Sequence, residues 1–178
     1  MPACANFVLS DELKYSISIA KEKDAAAIAT LRNATAQHLT EIFGEGFWSH
    51  HSTEKGVLWG MRRGQVVIAR SGRRIIGTMT IGTRKPWAID PAYFAKSRKP
   101  FYITDMAVTP DLQRTGVGRA LLDEARSMAQ KNGGDALRLD AWDAKAGAGS
   151  FYAKCGFKEV GHVTYRSAPL VYYELSLA

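Results

Sequence analysis

Cysteine is scarce: the chain of 178 residues carries two, Cys4 and Cys155. A disulfide-stapled secreted scaffold needs more of them. Neither cysteine stands at finger-type spacing from His38, His50, His51 or His162, so no metal site is expected and both read as free structural thiols. No apolar run approaches the roughly 20 residues that cross a bilayer. Met1–Ser10 sets no basic segment ahead of a long apolar stretch, as a signal peptide would, so the expected location is the cytoplasm. Internal repeats and low-complexity linkers are lacking too, and the length suits a single domain over residues 1–178. Acid is in deficit: 24 Lys+Arg against 17 Asp+Glu leave a formal charge of +7. That balance suits an anionic partner, whether nucleic acid, a phosphorylated cofactor or an acidic membrane, without choosing among them.

What is present is the balance of a globular chain, 46% apolar and 23% charged, which argues against wholesale disorder. Tyr15–Ala20 alternates apolar and polar residues and predicts a strand. Asp24 is placed to cap a helix from Ala25 to about Leu39, and Glu41–His51 reads as a loop rich in glycine and aromatic residues. A shorter helix is expected over Thr53–Arg63. Gln65–Arg70 and Arg74–Ile81 are β-branched runs joined by Ser71-Gly72-Arg73, a hairpin signal. Thr83–Pro100 holds Pro86, Pro91 and Pro100 and predicts a long loop with at most a helical turn. A strand over Phe101–Val108 stops at Pro110. Gly116–Lys131 is then a patterned helix whose Val117, Leu121, Leu122, Ala125, Met128 and Ala129 share one face. Ala136–Trp142 reads as a strand, Gly149–Lys154 as a short helix, and Lys158–Tyr165 with Val171–Leu177 as two closing strands. The order β-α-α-β-β-β-α-β-α-β-β points to an α/β (α+β) fold with a mixed sheet.

The stretch Val108-Thr109-Pro110-Asp111-Leu112-Gln113-Arg114-Thr115-Gly116-Val117-Gly118-Arg119 takes a strand through a turn into a helix. The first helical turn carries unpaired N–H groups and the positive end of the helix dipole. Gly116 and Gly118 leave room for close approach, and Arg114 and Arg119 add charge, so the segment is a candidate diphosphate cradle. A dinucleotide turn wants Gly or Ala where Leu121 stands, and a Walker loop wants Gly-Lys-Ser/Thr; neither pattern is met.

Gln113-Arg114-Thr115-Gly116-Val117-Gly118 resembles the Q/R-x-x-G-x-G/A signature of the GCN5-related N-acetyltransferase (GNAT) superfamily. The strand Tyr102–Val108 precedes it at the family's distance, and Phe151-Tyr152-Ala153-Lys154-Cys155-Gly156-Phe157 resembles the family's F-Y-x-x-x-G-F block. The resemblance covers about Phe101–Gly161 and implies a mostly antiparallel central sheet flanked by helices, with acetyl-CoA as co-substrate. It implies that the amides of Arg114, Thr115, Gly116, Val117, Gly118 and Arg119 hold the pyrophosphate, with Gln113 opening the signature. Met106, Ala107 and Val108 would pair with the pantetheine arm in a slot that the family opens at a bulge. An amine would attack the acetyl carbonyl directly, with the Val108 N–H as oxyanion donor and Tyr152 as general acid. Asp105 is the candidate base or else a solvated carboxylate, with His50 and His51 as runners-up. Lys145 stands where many relatives have an Asn that contacts the CoA arm; Asp143, Lys145 or backbone groups of Gly147–Ser150 would replace that contact, or it is absent.

Substrate choice is expected in the two unmatched segments, through Phe43, Phe47 and Trp48 in one and Trp87, Tyr93 and Phe94 in the other. The second carries Arg84, Lys85, Lys96, Arg98 and Lys99 against a lone Asp90. If that charge serves binding, the acceptor is a small-molecule or peptide amine bearing an anionic group, and not a polyamine or aminoglycoside. A homodimer is compatible with the exposed strands and aromatics. Alternatives from other classes are a non-catalytic acyl-CoA-binding regulator and a nucleic-acid module. The second of these is disfavoured because the basic residues are scattered.

Overall fold

The computed structural model describes residues 13–177; Cys4 and Met1–Ser10 lie outside them. The eleven main elements follow the expected order. They are β1 (Ser16–Ile19), α1 (Ala25–Phe43), α2 (Glu54–Met61), β2 (Gln65–Ser71), β3 (Arg74–Gly82), β4 (Pro100–Val108), α3 (Val117–Lys131), β5 (Ala136–Trp142), α4 (Gly149–Lys154), β6 (Lys158–Tyr165) and β7 (Ala168–Ser176). The seven strands form one sheet in the order β1-β2-β3-β4-β5-β7-β6. Every neighbouring pair is antiparallel except β4 and β5 at its centre. Among the described residues, no helix is long and apolar enough to cross a membrane.

Strand alternation divides the core between the two faces of the sheet. Phe101 and Ile103 of β4, Leu137 and Leu139 of β5, and Val171 and Tyr173 of β7 pack with α3, which adds Val117, Leu121, Leu122, Ala125 and Ala129. The opposite face holds Val66, Ile68, Ile75 and Ala107 under Ile28 and Leu31 of α1 and Val57 of α2. Beyond α1, that face is covered by the 83–100 insertion. It lays Ile89 and Phe94 on Tyr102 and Tyr172. The insertion's helical turn is Pro91–Tyr93.

Two local expectations are corrected. Asp24 does not cap α1 with its side chain; its carboxylate accepts the Lys21 N–H at 2.9 Å and Arg70 at 2.7 Å, bracing β2 against the chain entering α1. And α1 continues to Phe43, so Glu41–Phe43 are helical. Nothing in Thr40–Phe43 breaks a helix, and Gly44 at φ +79° ends it.

Lys85, Arg98 and Lys99 of the insertion are engaged at the far end of the sheet from the glycine-containing turn. Lys85 Nζ donates to the carbonyls of Pro86 and Ile89, and Lys99 Nζ to that of Asn132. Arg98 faces Asp135, whose carboxyl is held at about 2 by the Ser97 hydroxyl and the Arg98 and Lys99 amides.

Helix α3 sits close on β3 because Gly77 has no side chain. A Cβ there would meet Leu121 Cδ1 and Val117 Cγ1, each at 3.0 Å. Gly77→Ala is therefore expected to lower the unfolding free energy by about 1–3 kcal/mol, as overpacking does. A urea melt checks this. At the other end of the sheet, His162 of β6 bonds Asp143 through Nδ1 at 2.8 Å and Glu159 through Nε2 at 2.6 Å. Those bonds raise its pKa. The tie's contribution is complete below the ordinary imidazole pKa of about 6.5 and is lost as pH climbs through the raised value. The melting temperature should thus fall between neutral and mildly alkaline pH, and His162→Ala should flatten that decline.

Candidate active site

The centre of β4 is irregular. Thr78 of β3 faces Ala107 and Thr80 faces Thr104, so a two-residue step on β3 opposes three on β4. The extra residue is Asp105, at φ +53°, and neither it nor Met106 has a partner on β3. This is a β-bulge, and it shifts the side-chain alternation by one. Met106 and Val108 consequently join Phe101 and Ile103 on the α3 face, whereas Ala107 packs under α1. Asp105 remains exposed, with Arg32 of α1 at 3.9 Å.

Beside the bulge, β4 and β5 separate. They pair only from Pro100–Ala136 to Tyr102–Arg138, although β4 runs on to Val108 and β5 to Trp142. Arg138 pins β5 where the strands part. Its Nε donates to Glu174 of β7 at 2.7 Å, another nitrogen donates to the Ala95 carbonyl, and its guanidinium lies 4.7 Å from the Phe94 ring centre. The result is a slot between the C-terminal halves of two parallel strands.

Val108 presents its backbone to that slot. Thr109 N–H donates to the Ile76 carbonyl at 2.9 Å, making that pair a bonded one. The adjacent pair of Val108 and Gly77 is then non-bonded, and its N–H and C=O point away from β3. The carbonyl accepts from Thr35 Oγ1 and Gln113 Nε2, each at 3.3 Å. The N–H faces the gap. By the same alternation the polar groups of Ala107 belong to the ladder with Thr78, so of the Met106–Val108 run Ala107 is not free to bind a peptide-like ligand through its backbone.

Next comes the turn. Arg114 at φ +65° and Gly116 at φ +96° reverse the chain into α3, and a Cβ on Gly116 would meet nothing within 4 Å. Glycine is needed there for its backbone conformation, and the space in front of it is open. Ala120 N–H makes the first bond back to Gly116, so the amides of Val117, Gly118 and Arg119 precede the helical ladder. No acidic residue occupies the first turn. Gln113, Arg114 and Thr115 are exposed. Gly118 serves packing as well: a Cβ would come within 3.1 Å of Phe151. Arg119 donates to the Lys154 carbonyl at the end of α4. Asp111 is turned away from the cradle; Arg74 and the Thr109 hydroxyl bind its carboxylate and hold its pKa far below the ordinary range. These open, acid-free amides fit a diphosphate.

Tyr152 of α4 lies in the core among Phe151, Phe157 and Tyr173. Its hydroxyl reaches Met106 Sδ, at 3.8 Å, across the slot strand. Burial raises its pKa strongly, and the charges of Asp140 and Cys155 add to the effect. Asp140 also lies beside the slot, and sequence reasoning passed it over. It stands on β5 where the strands have parted, and burial, with the nearby Asp105, pushes its carboxyl up. The available signal was a charged residue on a central strand, out of phase with Leu137 and Leu139. His50 and His51 are exposed on the loop before α2, and Lys145 is exposed after β5. Asp143 is held by His162.

Phe47 stacks on Trp142 at 5.6 Å, so the loop after α1 closes over the end of β5. Its base is tied to α1 by Asn33, which exchanges two bonds with the Ser52 backbone.

A family model described as the acetyltransferase (GNAT) domain matches residues 62–159, more than half of the chain. No curated protein matches the sequence. Among solved structures, a GNAT-family acetyltransferase from Listeria monocytogenes superposes with TM-score 0.71 at 18% identity, covering 95% of this chain and 98% of that one. A putative acetyltransferase from Salmonella typhimurium, solved with its cofactor acetyl-CoA, gives 0.68 at 19% identity over 92% and 94% of the two chains. The ribosomal-protein-S18-alanine N-acetyltransferase of Escherichia coli gives 0.68 at 17% identity over 93% and 95%. With the family model spanning the bulge, the slot and the turn, this chain belongs to the GNAT acetyltransferases, enzymes that draw their acetyl group from acetyl-CoA.

Proposed function

We propose that the chain, as one domain, transfers the acetyl group of acetyl-CoA to a primary amine of a small molecule or peptide by direct attack. The observation that carries this reading is the bulged, parted β4, which aims an N–H into a slot beside the bare start of α3. Acetyl-CoA supplies a thioester already activated for aminolysis. The residues of the turn, Gln113 to Gly116, and the amides of Val117, Gly118 and Arg119 hold the pyrophosphate, with Arg114 adding charge. Met106 and Val108 line the pantetheine arm. The Val108 N–H stabilises the oxyanion; fixed in a water-poor slot, such a donor is worth about 3 kcal/mol. Tyr152 gives its proton to the departing thiolate.

Acetyl-CoA at saturating concentration should raise the melting temperature, since it binds the folded state. No shift would count against the pyrophosphate site. Tyr152→Phe should lower kcat by about 100-fold while leaving the calorimetric Kd for acetyl-CoA unchanged. An undiminished rate would remove Tyr152 from the acid role.

A further inference from the structure

We propose that Asp140 is the base that takes the acceptor's proton, working from the sheet face opposite α3. The proposal rests on the acetyltransferase reading above. Leu137 and Leu139 of β5 pack under α3, so Arg138, Asp140 and Trp142 belong to the other face. Arg138 is fully engaged by Glu174 and Ala95, and Trp142 is covered by Phe47. Between them Asp140 makes no side-chain hydrogen bond or ion pair to another residue among the described ones. It stands where β5 no longer has β4 beside it.

Asp105 is the rival carboxylate, and the two environments separate them. The side chain of Asp105 is 52% exposed and has the Arg32 guanidinium 3.9 Å away, so it faces solvent and is already paired with a cation. Asp140 is half-buried, and the charged groups around it are few: Asp105 across the slot on β4, Tyr172 opposite on β7, Tyr152 on α4, and Arg32 of α1 only by way of Asp105. Such a carboxyl holds a proton closer to neutral pH, which suits general-base work.

The same placement orders the proton transfers. While Asp140 is ionised its charge holds the Tyr152 proton in place, making the phenol a poor acid. The acceptor ammonium gives a proton to Asp140, and the neutral nitrogen forms a bond to the acetyl carbon. With Asp140 neutral, its hold on Tyr152 lapses. The C–S bond breaks and the thiolate takes the phenolic proton. The second nitrogen proton refills the phenolate, and Asp140 returns its proton to solvent, so one proton is released per amide formed.

The test follows thiol release from acetyl-CoA with ethylamine, an ammonium at neutral pH, and with hydroxylamine, already neutral there. Asp140→Asn should cut the ethylamine rate by about 100-fold and abolish the acid limb of its pH profile, while sparing hydroxylamine far more. Asp140→Glu should restore part of the rate. Asp105→Asn should keep the acid limb and move it to lower pH, because a repelling charge has gone. An Asp105→Asn enzyme without the limb, or an Asp140→Asn enzyme that keeps it, overturns the proposal. So does a wild-type enzyme that binds acetyl-CoA and acetylates neither amine. Calorimetric binding of acetyl-CoA by each variant certifies its fold, and a wild type that fails to bind would defeat the underlying reading instead.

Discussion

Everything functional in this molecule depends on two parallel strands failing to stay together. A continuous β4–β5 ladder would direct the Val108 N–H and C=O into hydrogen bonds with β5 and leave no room for a thioester. Each ladder bond forgone is worth about 0.5–1.5 kcal/mol net, so parting the strands costs several kcal/mol unless something holds them apart. Two features do. Asp105 inserts an extra residue that breaks the regular course of β4, and Arg138, nearly fully buried, ties β5 to β7 and to the insertion. The insertion is thereby part of the active-site scaffold, although it lies at the opposite end of the strands from the turn.

The second constraint is how closely α3 can lie on the sheet. Gly77 admits Val117 and Leu121, and Gly118 admits Phe151. Together they set the helix start down beside Met106 and Val108, with α4 and Tyr152 against it. A helix start even a little further out would hold a diphosphate, but at the wrong distance from the slot. The glycines of the signature therefore do different work: Gly116 supplies a left-handed backbone, and Gly118 supplies contact.

Much of the fold was legible in the sequence because its signals are local. Periodicity located the helices and strands, Ser71-Gly72-Arg73 the hairpin, and the Gln113–Gly118 signature the turn. The extent of α1 was less legible, since Glu41–Phe43 next to a glycine-rich stretch look like loop until Gly44 is seen to be the stop. The bulge at Asp105 is a register event between two strands, and its only trace in β4 itself is one skip in the alternation, from Phe101 and Ile103 to Met106 and Val108. Asp140 was hidden for a related reason. Its neighbour Tyr172 comes from β7, an element distant in sequence, whereas Asp105 drew attention as a carboxylate on the strand that precedes the signature.

Charge is distributed across the sheet rather than simply in excess. The turn presents Arg114 and the unpaired amides of α3, and Asp111 beside it is neutralised by Arg74. The opposite face presents Asp105 and Asp140, while Lys85 and Lys99 of the insertion are engaged with carbonyl groups elsewhere. One side of the slot thus favours a polyanion and the other a protonated amine. On the proposed reading, two substrates of opposite charge would be drawn to opposite sides of a gap one strand spacing wide, about 4.8 Å before it opens. On that reading the +7 of the whole chain says little about the acceptor, because the half-buried Asp140 would face it, and a charge partly out of water acts more strongly than one at the surface.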